Sequence, residues 1–292
     1  GENALTELTG NNFVNFAEQS LGQIDLDLSQ NLNQLEILSR TPIILTAVET
    51  AGTFLNLQGL TGLSDADKEQ KMANTRSLNT SPRVGLFLKP YLEELADFSE
   101  ITITDAHGHN VIVTAWPPRF RQNNAEWFKG TMDEGVWITD VSIHEVTGER
   151  GIHVASNIIG GRENTVVGVI TGFLPFDNII AYLTSIAGGI DHGEIQLLNR
   201  RGQPMVTVIN RGDEFEILDA QEFNQRLEGQ SVEGQRWGWG KTVDGQRSIM
   251  VHVADDSGTA ISRLGWSIII AQPTSVALAA SNFVQRSIIF IA

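Results

Sequence analysis

Six histidines and 35 carboxylates are the side chains with which this 292-residue chain could do chemistry, and it has no cysteine. Without thiols there is no disulfide framework, no thiolate metal site and no cysteine nucleophile. His107 and His109 stand two apart on a predicted turn with no third ligand near them, so they read as solvated turn residues. His144-Glu145 lacks the second histidine of a zinc-binding helix. Gly238-Trp-Gly240-Lys241-Thr242 resembles the tail of a phosphate loop, but Gln235 stands where such a loop needs its first glycine. That stretch also alternates like a strand, which puts Trp237 and Trp239 on one face. The adjacent Asp255-Asp256 would face opposite ways on a strand, and no Gly-x-Ser-x-Gly elbow occurs. No catalytic or metal-binding constellation emerges, no cofactor is implied, and the segment reads as a non-enzyme.

Charge narrows the partners. Twenty basic against 35 acidic residues leave a net charge of −15. That balance argues against nucleic acid, whose binding rests on neutralising phosphates with Lys and Arg. Only five of the basic residues are Lys, so a polybasic membrane patch is missing too. Hydrophobic residues at 41% describe a globular chain, and its length suggests about two domains. Gly1 opens no signal segment. The last residues, Ser287-Ile-Ile-Phe-Ile-Ala292, stop inside an apolar run. A membrane span needs ~20 such residues, so a transmembrane helix is expected to begin there and continue beyond.

The elements that must position any site follow from periodicity. Phe13, Phe16/Ala17, Leu21, Ile24, Leu28, Leu32, Leu35 and Leu38 recur at three and four residues and predict one long helix, halted at Arg40-Thr41-Pro42. Ser64-Asp65-Ala66-Asp67 reads as an N-cap with acids in the first turn, and a third helix is expected over Arg83 to Phe98. From Ser99 the period becomes two. Ile101, Ile103, Val111 and Val113 flank Asp105-Ala-His-Gly108 as a β-hairpin. A short helix over Ala125–Asp133 and strands over Val136–Ile143, Ile152–Ile158 and Val166–Leu174 complete a five-stranded antiparallel sheet. Asp177 would cap a helix over Ile179–Ile186, ended by Gly188-Gly189.

The same order then restarts. Ile195-Gln-Leu-Leu-Asn199-Arg-Arg-Gly202 echoes Ile101-Thr-Ile-Thr-Asp105-Ala-His-Gly108 at an offset of 94, Gly265 matches Gly168 at 97, and Thr274 stands where Asp177 does. Matching turn chemistry at a near-constant offset predicts an internal structural repeat.

A long N-terminal helix, two sequential PAS-like sheets and an exit helix resemble a double Cache sensor module. The phrase is Ile103-Thr-Asp105-x-x-Gly108, Glu126-Trp127-Phe128, Trp137-Ile-Thr-Asp140, Val146-Thr-Gly148 and Val166-Val-Gly168-Val. The resemblance implies an α+β fold: an N-terminal helical stalk over 1–75, a membrane-distal module over 76–188, a membrane-proximal one over 189–273 and an exit helix over 274–292. It also implies an extracytoplasmic sensing region of a bacterial transmembrane protein, anchored at both ends and parallel-dimeric through its long helix. A chemoreceptor, histidine kinase or diguanylate cyclase output would follow.

Carried over position by position, the family's pocket is altered here. Amino-acid-binding members place an Arg two residues before the Trp, where this chain has Ala125; their Tyr and Asp on the next strand become Ser142 and His144. Their distal Asp becomes Phe173, while the upstream aromatic survives as Phe120. A buried ammonium without a carboxylate costs several kcal/mol, so a free α-amino acid is not the expected ligand. Phe120, Trp127, Phe128 and Phe173 would form apolar walls, with Trp137 and Asp140 completing the phrase. Arg119, Arg121, Ser142 and His144 would be the nearest polar groups. That set suits a carboxylate without an amine or a largely apolar metabolite, bound in the distal module. Competing readings are a secreted or periplasmic enzyme and a partner-binding ectodomain without a ligand.

Overall fold

The computed structural model describes residues 2–78, 82–95, 97–160, 164–219, 236–255 and 258–279. It opens with helices α1 (Glu2–Ser39), α2 (Pro42–Glu49), α3 (Ala51–Leu57), α4 (Asp65–Lys71) and α5 (Pro82–Glu94). The apolar stripe of α1 is buried at Ala17, Leu21, Ile24, Leu28, Leu35 and Leu38, as its period predicts. Pro42 then begins α2 instead of extending α1, since its ring cannot continue a helix but suits a first turn. Ser64 caps α4 by accepting the Asp67 N–H at 3.2 Å. The chain folds as two compact units, residues 27–178 and residues 1–26 with 179–292.

In the unit of residues 27–178, strands β1 (Glu100–Asp105), β2 (Asn110–Val113), β3 (Val136–Ile138), β4 (Ser142–Ile143), β5 (Arg150–Ile159) and β6 (Val166–Pro175) form one antiparallel sheet in the order β2-β1-β6-β5-β3. The short β4 pairs with β5 beside β3. Sequence periodicity expects one strand over Val136–Ile143, and the structure divides it. Thr139 bonds across to His153 through both its N–H and its Oγ1, while the Asp140 carboxylate accepts the Val141 N–H at 2.8 Å and interrupts the ladder. Helix α6 (Glu126–Glu134) connects β2 to β3.

The sheet's two faces differ in chemistry. Ile101, Ile103, Ile152, Val154, Ile158 and Ile170 alternate onto one face, whose neighbours include α2. Gly168 lies on this face opposite Asp105, where an added Cβ would sit 2.1 Å from the Thr104 carbonyl oxygen and 2.8 Å from Val48. Backbone cannot yield as a side-chain tip can, so Gly168→Ala is expected to destabilise the fold by ~1–3 kcal/mol in urea unfolding. An unchanged midpoint would refute this close approach.

In the other unit, β7 (Glu194–Leu198), β8 (Pro204–Asn210), β9 (Phe215–Asp219), β10 (Trp237–Lys241), β11 (Arg247–Ala254) and β12 (Ser267–Pro273) run β10-β11-β12-β7-β8-β9. Without β9 this is the order of the first sheet, and the repeat extends to single atoms. Asp105 Oδ1 accepts the amides of His107 and His109, and Asn199 Oδ1 accepts those of Arg201 and Gln203, at the same offset of 94. Gly108 and Gly202 close the two turns at φ 82° and 72°.

The other repeat marks need correction. Gly265 does not repeat Gly168: it ends α8 (Ala260–Leu264) in the left-handed region at φ 68°. Asp177 lies in the first turn of α7 (Phe176–Ala187), not before it, because the helix starts directly from Pro175. Thr274 likewise opens α9 (Thr274–Ala277) from within. The rest of the expected exit helix, 280–292, lies outside the described residues. Among the described residues, no helix is long and apolar enough to cross a membrane.

Candidate functional site

Opposite the aliphatic face, the sheet of residues 27–178 carries three cross-strand rows. One row is Glu100, Phe173 and His153, the next Thr102, Thr171 and Ala155 with Trp137, and the third Thr104, Val169 and Asn157. Adjacent strands place such partners side by side on one face. Thr102, Thr104 and Thr171 are buried there, and so are Asn157 Oδ1 and His153 Nδ1, neither with a hydrogen-bond partner. Buried polar groups without partners are uncommon and mark a place where a ligand or solvent completes the bonding.

Helix α6 supplies the apolar wall. Trp127 and Phe128 pack with Ala155, Val169 and Trp137, and Trp127 stacks on His153 with ring centroids 5.9 Å apart. Two glycines make room: a Cβ on Gly130 would lie 2.2 Å from the Trp137 ring, and one on Gly151 would lie 2.4 Å from Phe173. Phe173 stands between two imidazoles, 5.1 Å from His153 and 4.9 Å from His144.

The polar chemistry comes from His144, Glu100 and His153. His144 is buried, and its Nδ1 accepts the Thr147 N–H at 3.1 Å. That fixes the tautomer with the proton on Nε2, which lies 3.2 Å from Glu100 Oε1. Burial pushes His153 down to about 4, and the neighbouring His144 adds to the shift. His153 is therefore a neutral imidazole at physiological pH.

The expected site residues separate into those this face assembles and those it does not. Trp127, Phe128, Trp137, His144 and Phe173 meet here. Phe120 is buried, but its ring packs on His109 at 5.5 Å. Arg119 turns outward to an ion pair with Glu145, and Arg121 pairs with Asp65 on α4, so both are engaged away from the aromatic wall. Asp140 and Ser142 are exposed. Sequence reasoning missed Glu100 and His153, and the signal for both was period-two alternation in step with Phe173. His109 is also corrected. It is buried, because its Nδ1 reaches Asp105 Oδ2 at 2.8 Å. The phosphate-loop fragment is strand β10, with Trp237 and Trp239 in edge contact at 6.4 Å.

The second sheet repeats this asymmetry. Glu194, Gln196, Thr207 and Ser248 are buried on its mixed face, where Gln196 Oε1, Thr207 Oγ1 and Ser248 Oγ lack partners. The connection between β9 and β10, residues 220–235, lies outside the described residues.

Solved structures similar to this chain include ligand-binding domains of bacterial chemoreceptors. The ligand-binding domain of Pseudomonas fluorescens CtaA, in complex with L-isoleucine, is 18% identical, with 95% of this chain and 98% of that one covered and a TM-score of 0.58. That of Campylobacter jejuni Tlp3 with L-valine is 10% identical over 94% and 97%, also at 0.58. That of Pseudomonas aeruginosa PctB with L-Arg is 15% identical over 92% and 97%, at 0.56. No protein-family model matches the chain, and no curated protein matches it by sequence. The likenesses establish the fold: an α+β arrangement of a long helix and two antiparallel sheets, shared with chemoreceptor ligand-binding domains, as the Cache resemblance implies.

Proposed function

We propose that this chain is the extracytoplasmic small-molecule sensing region of a membrane signalling protein, with its ligand on the polar face of the first sheet. The observation that carries this is the unpartnered His153 Nδ1, buried between Trp127 and Phe173 on a face that shares the fold of amino-acid chemoreceptors. The ligand class differs from that of the structural neighbours. Glu100, the carboxylate beside the Phe173 position, already faces His144 Nε2 at 3.2 Å, which leaves no uncommitted carboxylate for a ligand ammonium in the three rows of this face. A monocarboxylate or largely apolar metabolite fits the aromatic wall and two imidazoles. Titration calorimetry with butyrate and with L-isoleucine tests the class. Saturable heat with butyrate alone supports it, and heat with L-isoleucine alone overturns it.

Signalling would pass through α1, the first element of the stalk expected over 1–75. Leu8, Leu26 and Ile37 are exposed large apolar side chains on α1. They are 18 and 11 residues apart, about five and three turns, so they share one face. Asn15, Gln19, Gly22 and Asn33 lie along the same line, which carries no charge in a chain of net −15. We assign this stripe to a second copy in a parallel dimer. Single cysteines at Leu8, Asn15, Gly22 and Leu26 in the full-length protein are expected to cross-link, with those at Ala17 and Leu28 silent. Uniform reactivity would overturn the assignment.

A further inference from the structure

Leu55 of α3, Lys68 of α4 and the β1–β2 turn line an open cavity of about 290 Å³ that shares no lining residue with the aromatic wall. Leu55 and Leu60 line it with apolar surface, and Lys68, His107, His109 and Arg121 are its potential cations. That is near the lower end of the ~300–1,000 Å³ typical of small-ligand sites. Four such groups converging in a strongly acidic chain already set the place apart.

The stronger observation is His109. The residue is nearly fully buried, Asp105 holds its Nδ1, and its Nε2 has no partner. Asp105 Oδ1 takes the amides of His107 and His109, which fixes the carboxylate and with it the ring. A carboxylate behind an imidazole orients the outer nitrogen toward whatever binds in front of it. Arg121 is in a similar state. Asp65 takes its terminal nitrogen, but Nε is buried without a partner, and burial lowers the guanidinium's pKa. The nearby carboxylates are committed, Asp65 to Arg121 and Glu69 to the amides of Phe120 and Arg121 at 2.8 and 2.7 Å. Lys68 is left as the uncompensated charge lining the cavity.

We propose that this cavity is a second ligand site, which takes a small aliphatic carboxylate. The acid group lies between Lys68, Arg121 Nε and His109 Nε2, which donates to it only from the doubly protonated ring, the Nδ1–H remaining on Asp105, and the short tail lies on Leu55 and Leu60. A metal ion is the poorer fit, because Lys68 and Arg121 would repel it. The site is separate from the sheet face that carries His153, and each has its own imidazole reporter.

Histidine ¹⁵N NMR on this chain during a butyrate titration tests the proposal. The expected result is a saturable shift of His109 Nε2, with no shift from 1-butanol, which has the tail without the charge. Lys68→Ala should weaken the His109 response about tenfold, the loss of one charged hydrogen bond, and Lys68→Glu should abolish it. Lys68 is a partly exposed side chain on α4, so neither change threatens the fold. His153 should respond to butyrate alike in all three proteins if the sheet face binds as proposed, so failure at one site is visible apart from failure at the other. A His109 signal that ignores butyrate, keeps its midpoint in Lys68→Ala, or moves only with zinc(II) would overturn the second site.

Discussion

Glu194→Gln is expected to leave stability unchanged at pH 4.5 and to raise it by about 3 kcal/mol over wild type at pH 7 and above. Glu194 is buried at the start of β7, where desolvation pushes its carboxyl up to about 7 from 4.5. Asp244 adds to that rise, while the Val243 amide at 3.0 Å, Gln196 and Arg211 oppose it. The folded state therefore holds a proton that the unfolded state has released between those two values. Stability is fully present below pH 4.5 and is lost as pH rises through 7. Gln is neutral throughout, so it cannot show that loss. Urea unfolding of both proteins across pH 4.5–8 measures the difference, and a constant offset would show that Glu194 ionises normally in the fold.

His153 works in the opposite direction. Its folded value of about 4 lies below the ordinary 6.5, so its contribution is present above 6.5 and is lost as pH falls through 4. His252, also lowered by burial, adds to the same trend. The two trends overlap between pH 4.5 and 6.5 and offset one another there in the wild type. Glu194→Gln removes one and exposes the other, so the variant's stability should climb with pH where the wild type stays nearly level.

How far the site could be read from sequence follows the range of the interactions involved. The stripe of α1, the Ser64 cap and the paired turns at Asp105 and Asn199 are local, and residue types within four positions determine them. Trp127, Phe128 and Trp137 were legible because a short amphipathic helix and the strand after it carry them together. Glu100 and His153 were not, because their place beside Phe173 depends on the pairing of β1 and β5 with β6 across 73 and 20 positions. A slip of one residue would have put both on the aliphatic face. The arginines failed for the same reason: Arg121 finds Asp65 on a helix that precedes it by 56 residues, a contact no local pattern announces. His109 looked solvated because it sits in a turn, yet that turn folds it back onto Asp105.

Trp127→Ala is expected to destabilise the protein by ~3–5 kcal/mol, in line with losing a buried aromatic side chain. The sequence places Trp127 in an apolar wall, and the ring is nearly fully buried, so its loss opens a cavity against Ala155 and Val169. The same ring covers one face of His153, whose neutral state depends on the exclusion of water. Removing it should therefore also move the His153 titration from about 4 back toward 6.5, and butyrate should no longer shift His153. Trp127→Phe keeps an aromatic ring over the imidazole and should retain most of both properties. ¹⁵N titration of the histidines reads the pKa, and urea unfolding reads the stability, so the packing and shielding roles separate. If His153 still titrates near 4 in Trp127→Ala, the water barrier lies with Phe173 and His144, and Trp127 is only packing.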